Sequence, residues 1–415
     1  MISDPSAGTR LSPLEQSMRA RTHSVLAASV VLALAAGPLA APAFAASPAS
    51  VAAHTADRPG DGLDREGPDG DALDRDALRA AIAAVPNQHA TAALVRVGGT
   101  DGGWRGRAGV RDLTSDRPAH PNARFRAGSV TKVVTAATVL RLAAQDRIDL
   151  DAPVQDHLPD LFTPDFEEPI SVRQLLNHTS GIQPGDGLGD DFAEVYAHRF
   201  DTLTPQRVAA SAIAKGPEFE PGKQQHYLNI NYTILGLLIE KVTGRSYASE
   251  ATRLVLRPAG MRHTYFPGTD PRIRGPHNRG YQTVEQPDGT VKLVDVTEWN
   301  HADRWAAGDM ISTMADLERL LTELFEGRIV PQPELEEMFT TPAGLPDATR
   351  SAGLQYTKVS GKIFWGKSGS RYGYSALIGG TRDLSRTLVY SVNATDAKSA
   401  DRNPVIDAIT AAALK

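Results

Sequence analysis

The stretch "RFRAGSVTKVV", residues 124–134, sets a serine and a lysine three positions apart at the mouth of an apolar run. If the run "TKVVTAATVLRLAAQ" (131–145) is a helix, as Val133, Val134, Ala137 and Leu140 at helical spacing predict, Ser129 and Lys132 share one face of it. A lysine held against a hydroxyl can accept its proton once partial burial or a neighbouring cation lowers the lysine pKa. A serine at a helix start also faces free N–H groups and the positive end of the dipole, which favour a developing oxyanion. Serine is equally a common helix cap, and the pair alone leaves both readings open.

Two further segments bear on that choice. "PGKQQHYLNINYTILG" (221–236) carries Tyr227 and Asn229 just before a second helical pattern. A tyrosine close to two lysines can be held partly as phenolate and relay protons to a leaving group. Asn229 offers both an amide donor and an acceptor. "FWGKSGSRYGYSALIGG" (364–380) carries Lys367, Ser368 and Gly369 on or beside a strand. Lys367 supplies positive potential, Ser368 a hydroxyl for a carboxylate, and Gly369 lets a ligand approach the backbone. Taken singly, each segment reads as ordinary packing, turn or hairpin.

In this order and spacing the three motifs resemble the serine penicillin-recognising superfamily: D-alanyl-D-alanine carboxypeptidases, class C β-lactamases and related esterases. The likeness extends to "DLDAPVQDHLPDL", "ISVRQLLNHTSGI", "NYTILGLLIEKVTGRSY" and "AAGDMISTMADLERLL", and so runs from about residue 72 to the C-terminus. It is closest to the secreted soluble D-Ala-D-Ala carboxypeptidases. The resemblance implies that Ser129 is the acylated nucleophile and Lys132 its proton acceptor. Tyr227 would be general acid and base, with Asn229 positioning the acyl-side amide. Lys367 and Ser368 would hold the substrate's terminal carboxylate, and the backbone N–H groups of Ser129 and Ser370 would form the oxyanion hole. Leu228 stands where the family usually has serine or alanine, and Ser368 where threonine is common.

The implied fold is α/β (α+β): an antiparallel sheet formed by both chain ends, flanked by helices, with a mostly helical region inserted. Strands are expected at 91–97, 104–110, 374–381 and 387–393, and helices at 72–85, 312–327 and 404–415. "SVRQLLNH" opens with a capping box, Ser171 to Gln174. Asn231 is read as a helix cap, and Gly244 as the stop of the same helix.

The 415 residues suffice for a large core, and the composition (41% hydrophobic, 22% charged) is that of a globular protein. A net charge of −5 without a long basic run suggests no nucleic-acid partner. Cysteine is absent, which excludes disulfides and a thiolate nucleophile. Arg19, Arg21 and His23 precede the apolar run Val25–Ala36, then Gly37-Pro38 and small residues at Ala43 and Ala45. That layout predicts a secretory signal over 1–45, a flexible linker over 46–71 and a catalytic domain over 72–415, hence a secreted protein without a stable membrane anchor. A later start at Met18 fits the same layout. The apolar run is too short to span a bilayer, which needs about 20 residues.

His178 in "NHTSG" invites a Ser–His reading, but no nucleophile elbow surrounds Ser129, and its segment is structural in relatives. No metal-ligand spacing or phosphate loop is present, so neither metal nor cofactor is expected. The function expected is a serine D-Ala-D-Ala carboxypeptidase, with transpeptidation a further outcome, acting on peptidoglycan stem peptides and acylated by β-lactams. The alternatives are an esterase, D-aminopeptidase or β-lactamase on the same scaffold, and last a penicillin-binding sensor.

Overall fold

The computed structural model describes residues 73–414; the leader and linker read over 1–71 lie outside them. Its centre is a seven-stranded sheet in the order β3-β2-β1-β11-β10-β9-β8. In chain order these are β1 (Ala90–Gly98), β2 (Trp104–Asp112) and β3 (Ser115–Pro118), then β8 (Gln355–Val359), β9 (Lys362–Arg371), β10 (Tyr374–Thr381) and β11 (Thr387–Ala394). Every ladder between neighbours is antiparallel. Both chain ends thus supply the sheet, as the sequence predicts.

The central strand β11 is buried along its whole length. Leu388, Tyr390 and Val392 face a cluster shared with Leu78 and Ile82 of helix Arg75–Ala83 and Ile409 of helix Pro404–Ala413. Val389 faces the larger core on the other side, with Leu317 and Leu320 of helix Met314–Phe325. Coverage of both faces explains why "TLVYSVN" shows no strong alternation of apolar and polar residues.

Helix Thr131–Ala143 lies in that larger core, and eleven of its residues, Lys132 among them, are buried. Its sequence is apolar nearly all round, which suits a central rather than a surface helix. The core therefore carries Lys132 inside with it. Two short strands, β4 (Arg124–Arg126) and β7 (Ile311–Thr313), pair just ahead of this helix, and Ala127 N–H donates to Met310 O at 2.9 Å. They tie the turn Gly128–Val130 to the segment 305–310.

Helix Asn229–Thr243 ends at Gly244, whose φ of 68° is the left-handed stop expected there. Its start differs from expectation. The extended residue Leu228 precedes the helix, which begins at Asn229, and Asn231 is buried inside the first turn, bonded to Ser180 and His178. Burial gave that side chain tertiary partners and took it from the capping role. The capping box at Ser171 and Gln174 is present. An antiparallel hairpin, β5 (Tyr281–Glu285) with β6 (Val291–Asp295), was not anticipated, although Pro287-Asp288-Gly289 is a turn signal. Among the described residues no helix is long and apolar enough to cross a membrane.

Candidate active site

Ser129 sits in a single 3₁₀ turn, Gly128–Val130, that runs directly into helix Thr131–Ala143. Lys132 follows one turn later, so the two side chains meet: Nζ lies 3.3 Å from Ser129 Oγ. The same nitrogen donates to Asn229 Oδ1 and to the backbone oxygen of Ala307, each at 2.7 Å. This count of partners matters. A neutral amine has two N–H bonds and one lone pair; the two hydrogens satisfy Asn229 and Ala307, and the lone pair is left for the serine hydroxyl.

The charge state agrees with that geometry. Lys132 is fully buried, and burial, then the positive charges of Lys367, Arg304 and Lys398, hold its pKa well below the usual lysine value. Desolvation and like charge both disfavour the ammonium. The buried amine is thereby prepared to accept a proton.

Tyr227 comes from the extended segment before helix Asn229–Thr243. Its ring is flanked by Lys132 Nζ at 5.1 Å, Lys367 Nζ at 4.8 Å and the Arg350 guanidinium at 5.1 Å. Its hydroxyl is buried without a well-formed hydrogen bond. Burial pushes its pKa up to about 12, against the opposing influence of Ser129 and then Arg350 and Arg304. The phenolate reading from sequence is therefore corrected: desolvation outweighs the surrounding cations, and Tyr227 is a phenol at neutral pH. A neutral tyrosine beside a neutral lysine divides the labour into donor and acceptor.

Asn229 is used differently from the sequence expectation of a purely substrate-facing amide. Its oxygen is taken by Lys132, which leaves its NH₂ for a ligand. Lys367 lies on β9 beside Tyr227, donating to Ser368 O at 2.7 Å, and burial, then Arg350, push its pKa down to about 7. Ser368 is half-buried, and strand alternation turns it to the face opposite Lys367.

Two glycines let β9 touch the nucleophile turn. A Cβ on Gly369 would fall 2.0 Å from Ala127 O and 2.8 Å from Ser129 N. Gly128 has φ 52°, and a Cβ there would fall 2.6 Å from Ser370 N. The backbone nitrogens of Ser129 and Ser370 converge because neither glycine carries a side chain, which is the arrangement two oxyanion donors require. Gly369→Ala is expected to push β9 off the turn and lower acylation by about 10²–10³, the effect of losing one such donor. Retention of a wild-type acylation rate, in stopped-flow with a chromogenic ester, would remove Ser370 from that role.

His178 is buried with φ 66°. Its ring packs on Tyr227 (4.6 Å between centroids) and Tyr232 (5.2 Å). Nδ1 faces the amide nitrogen of Asn231 at 3.1 Å and the N–H of Leu228 at 3.4 Å, so it is an acceptor. Burial first, and then Lys132, keep the ring neutral. The position is that of a brace for Tyr227.

Arg350 was not found by sequence reasoning. No motif marks it, and it arrives on an irregular loop before β8. Gln225, two residues ahead of Tyr227, fixes it: the Gln225 oxygen accepts from Thr349 N–H and Arg350 N–H at 3.1 Å, and its amide donates to Arg350 O at 2.8 Å. Among the described residues no group of three or more His, Cys, Asp or Glu could hold a metal ion.

Comparison with known proteins gives a consistent result. The family model described as Beta-lactamase matches residues 75–412. The chain is 32% identical over 214 residues to Protein flp of Staphylococcus aureus (strain COL), covering 51% of this chain and 40% of that protein. It is 34% identical over 202 residues to Esterase EstB of Burkholderia gladioli, covering 45% of this chain and 50% of that one. The matches thus span about half the length of these relatives or less. Among solved structures, a D-stereospecific amidohydrolase from Streptomyces sp. superposes with a TM-score of 0.69 at 34% identity, covering 81% of this chain and 98% of that chain.

Proposed function

Because the chain belongs to the β-lactamase family, and is a serine hydrolase of that fold, we propose that it cleaves the terminal residue from D-alanyl-D-alanine peptides, as a secreted carboxypeptidase acting on cell-wall stem peptides. The observation that carries this reading is the pair of cationic groups, Lys367 and Arg350, that flank the Tyr227 ring beside the neutral Lys132. Lys132 is occupied as the base, which leaves Lys367 and Arg350 for an anion on the leaving-group side. A free C-terminal carboxylate beside the scissile amide is such an anion.

The proposed reaction uses these groups in turn. Ser129 Oγ forms a bond to the scissile carbonyl carbon as its proton passes to Lys132 Nζ. The carbonyl oxygen takes negative charge between the N–H groups of Ser129 and Ser370. Tyr227 gives its proton to the amide nitrogen as the C–N bond breaks, and recovers one from the Lys132 ammonium. Water attacks the acyl-serine with the same groups in reverse, releasing the acid and restoring Ser129. A β-lactam enters by the same first step, its carboxylate at Lys367.

A second reading is favoured by the similarity to the D-stereospecific amidohydrolase: hydrolysis of an amide on a D-amino acid with no carboxylate on the leaving group. One experiment separates the two. Release of D-alanine from a D-Ala-D-Ala peptide is compared with release of D-alaninamide from its C-terminally amidated form across pH. Both substrates gain rate as Lys132 loses its proton. Only the free acid should then lose kcat/KM as pH rises through about 7, where Lys367 gives up its charge. At pH 6 it should be favoured about ten- to a hundredfold, the strength of a charge-assisted contact. Equal rates at every pH would defeat the carboxypeptidase reading in favour of the amidase. Secretion rests on the leader reading of residues 1–45 and is tested by N-terminal sequencing of exported protein, expected to start near Ala46.

A further inference from the structure

Strand β9 is paired with β10 from Phe364 to Arg371, but with β8 only as far as Gly366. From Lys367 onward it is a free edge, covered in part by the nucleophile turn. In an antiparallel strand the N–H and C=O of one residue point to the same side. Ser370 N–H faces that turn, as its approach to Gly128 shows, so Ser370 C=O also faces the edge. A docked substrate chain would ordinarily reach this carbonyl with an N–H donor.

Here the carbonyl already has a partner. Lys398, on the loop between β11 and helix Pro404–Ala413, donates from Nζ to Ser370 O at 2.9 Å. The neighbouring Ala397 carbonyl accepts from Ser370 Oγ, so loop and strand are joined at both atoms. Lys398 forms no ion pair among the described residues. The nearby carboxylate, Asp303, is shared by Arg304 at 3.0 Å and Arg371 at 3.7 Å. Arg304 borders the nucleophile turn too: Gly308, against which its Cβ packs, lies next to Gly128. The edge therefore ends in an amine with no ion-pair partner of its own, in the positive field of Arg371 and Arg304; desolvation first, and then those two guanidiniums, hold its pKa well below the usual lysine value, against the pull of Asp303.

Direction along the strand says which part of a substrate meets it. Lys367, on the leaving-group side, precedes the oxyanion residue Ser370 by three positions, about 10 Å of extended chain. Lys398 is attached at Ser370's far atom, its carbonyl, which is the acyl side. We propose that Lys398 is a specificity-determining residue that selects acyl donors bearing a carboxylate on the acyl portion, giving the site a second anion-recognition point across the scissile bond from Lys367. A carboxylate placed there meets the unused N–H bonds of Lys398 in the positive field of Arg371 and Arg304, and itself favours the protonated amine. This inference rests on the serine-hydrolase reading and is independent of the leaving group.

The full chain is assayed with two esters that share a p-nitrophenolate leaving group: the monoester of glutaric acid and its neutral glutaramide counterpart. The reading is the ratio of their kcat/KM values, in which any change of Lys132 proton affinity cancels. Wild type should favour the anionic ester about tenfold or more. Lys398→Met should erase that preference, Lys398→Glu should reverse it, and Lys398→Arg should keep it within about threefold. High salt should shrink it. A ratio unmoved by Lys398→Met and Lys398→Glu overturns the inference, even if both rates fall together, since that outcome assigns Lys398 only to holding the strand. If Ser129→Ala leaves both hydrolyses intact, the fault lies instead with the serine-hydrolase reading.

Discussion

Ser129→Ala is expected to eliminate covalent labelling by a fluorescent penicillin and to lower turnover by about 10⁶, the scale of losing a nucleophile from a site whose groups act as a unit. The reason is chemical rather than structural. The turn Gly128–Val130 is held by backbone and glycine contacts that do not use the hydroxyl, so the variant should fold with its oxyanion donors in place. Intact-mass spectrometry after incubation with penicillin checks the result. An adduct persisting in the alanine variant, or mapping to another serine in wild type, would displace Ser129.

Lys132→Ala should lower acylation by about 10²–10⁴, the range for removing a general base. Its effect on structure is larger than that of Ser129→Ala, because Asn229 Oδ1 and Ala307 O lose their donor inside the core. Lys132→Met refills the volume but restores neither donor, so stability by denaturant titration should recover only the part owed to the cavity while acylation stays low. Lys132→Arg should not rescue the rate, since a guanidinium does not give up its proton. Recovery by arginine would show that positive charge, and not a lone pair, is what Ser129 requires. Raising pH should not substitute for the missing amine in any of these variants.

Much of the fold was legible. The Val133–Leu140 spacing identified the central helix, and the strand patterns at both ends foretold a sheet assembled from the two termini. The three motifs were legible because each is short and regular in its spacing. Lys132 reaches Ser129 through one helical turn, and Lys367 and Gly369 share one face of a strand. What escaped notice came through irregular backbone. Arg350 and Lys398 are delivered by loops without a period, one clamped by Gln225 and the other tied to Ser370. The protonation of Tyr227 escaped for another reason: proximity to cations can be guessed from motifs, but the depth of burial that outweighs them cannot. Asn231 was misread because capping preference is local, and the pull of His178 and Ser180 is not.

The meeting of β1 and β11 at the middle of the sheet also bears on when activity can first arise. Thr91 donates to the carbonyl of Asn393, a partner 302 residues away, and β10 and β9 extend outward from that seam. Closing so large a loop is entropically late and makes formation slow relative to chains rich in local pairings. Helix Thr131–Ala143 can form early, carrying Ser129 and Lys132, but the oxyanion strand has no sheet to join until the last strands have been synthesised. A growing chain therefore holds Ser129 and Lys132 without the means to use them. Competence is acquired once, at the end of folding, when the two extremities of the domain come together.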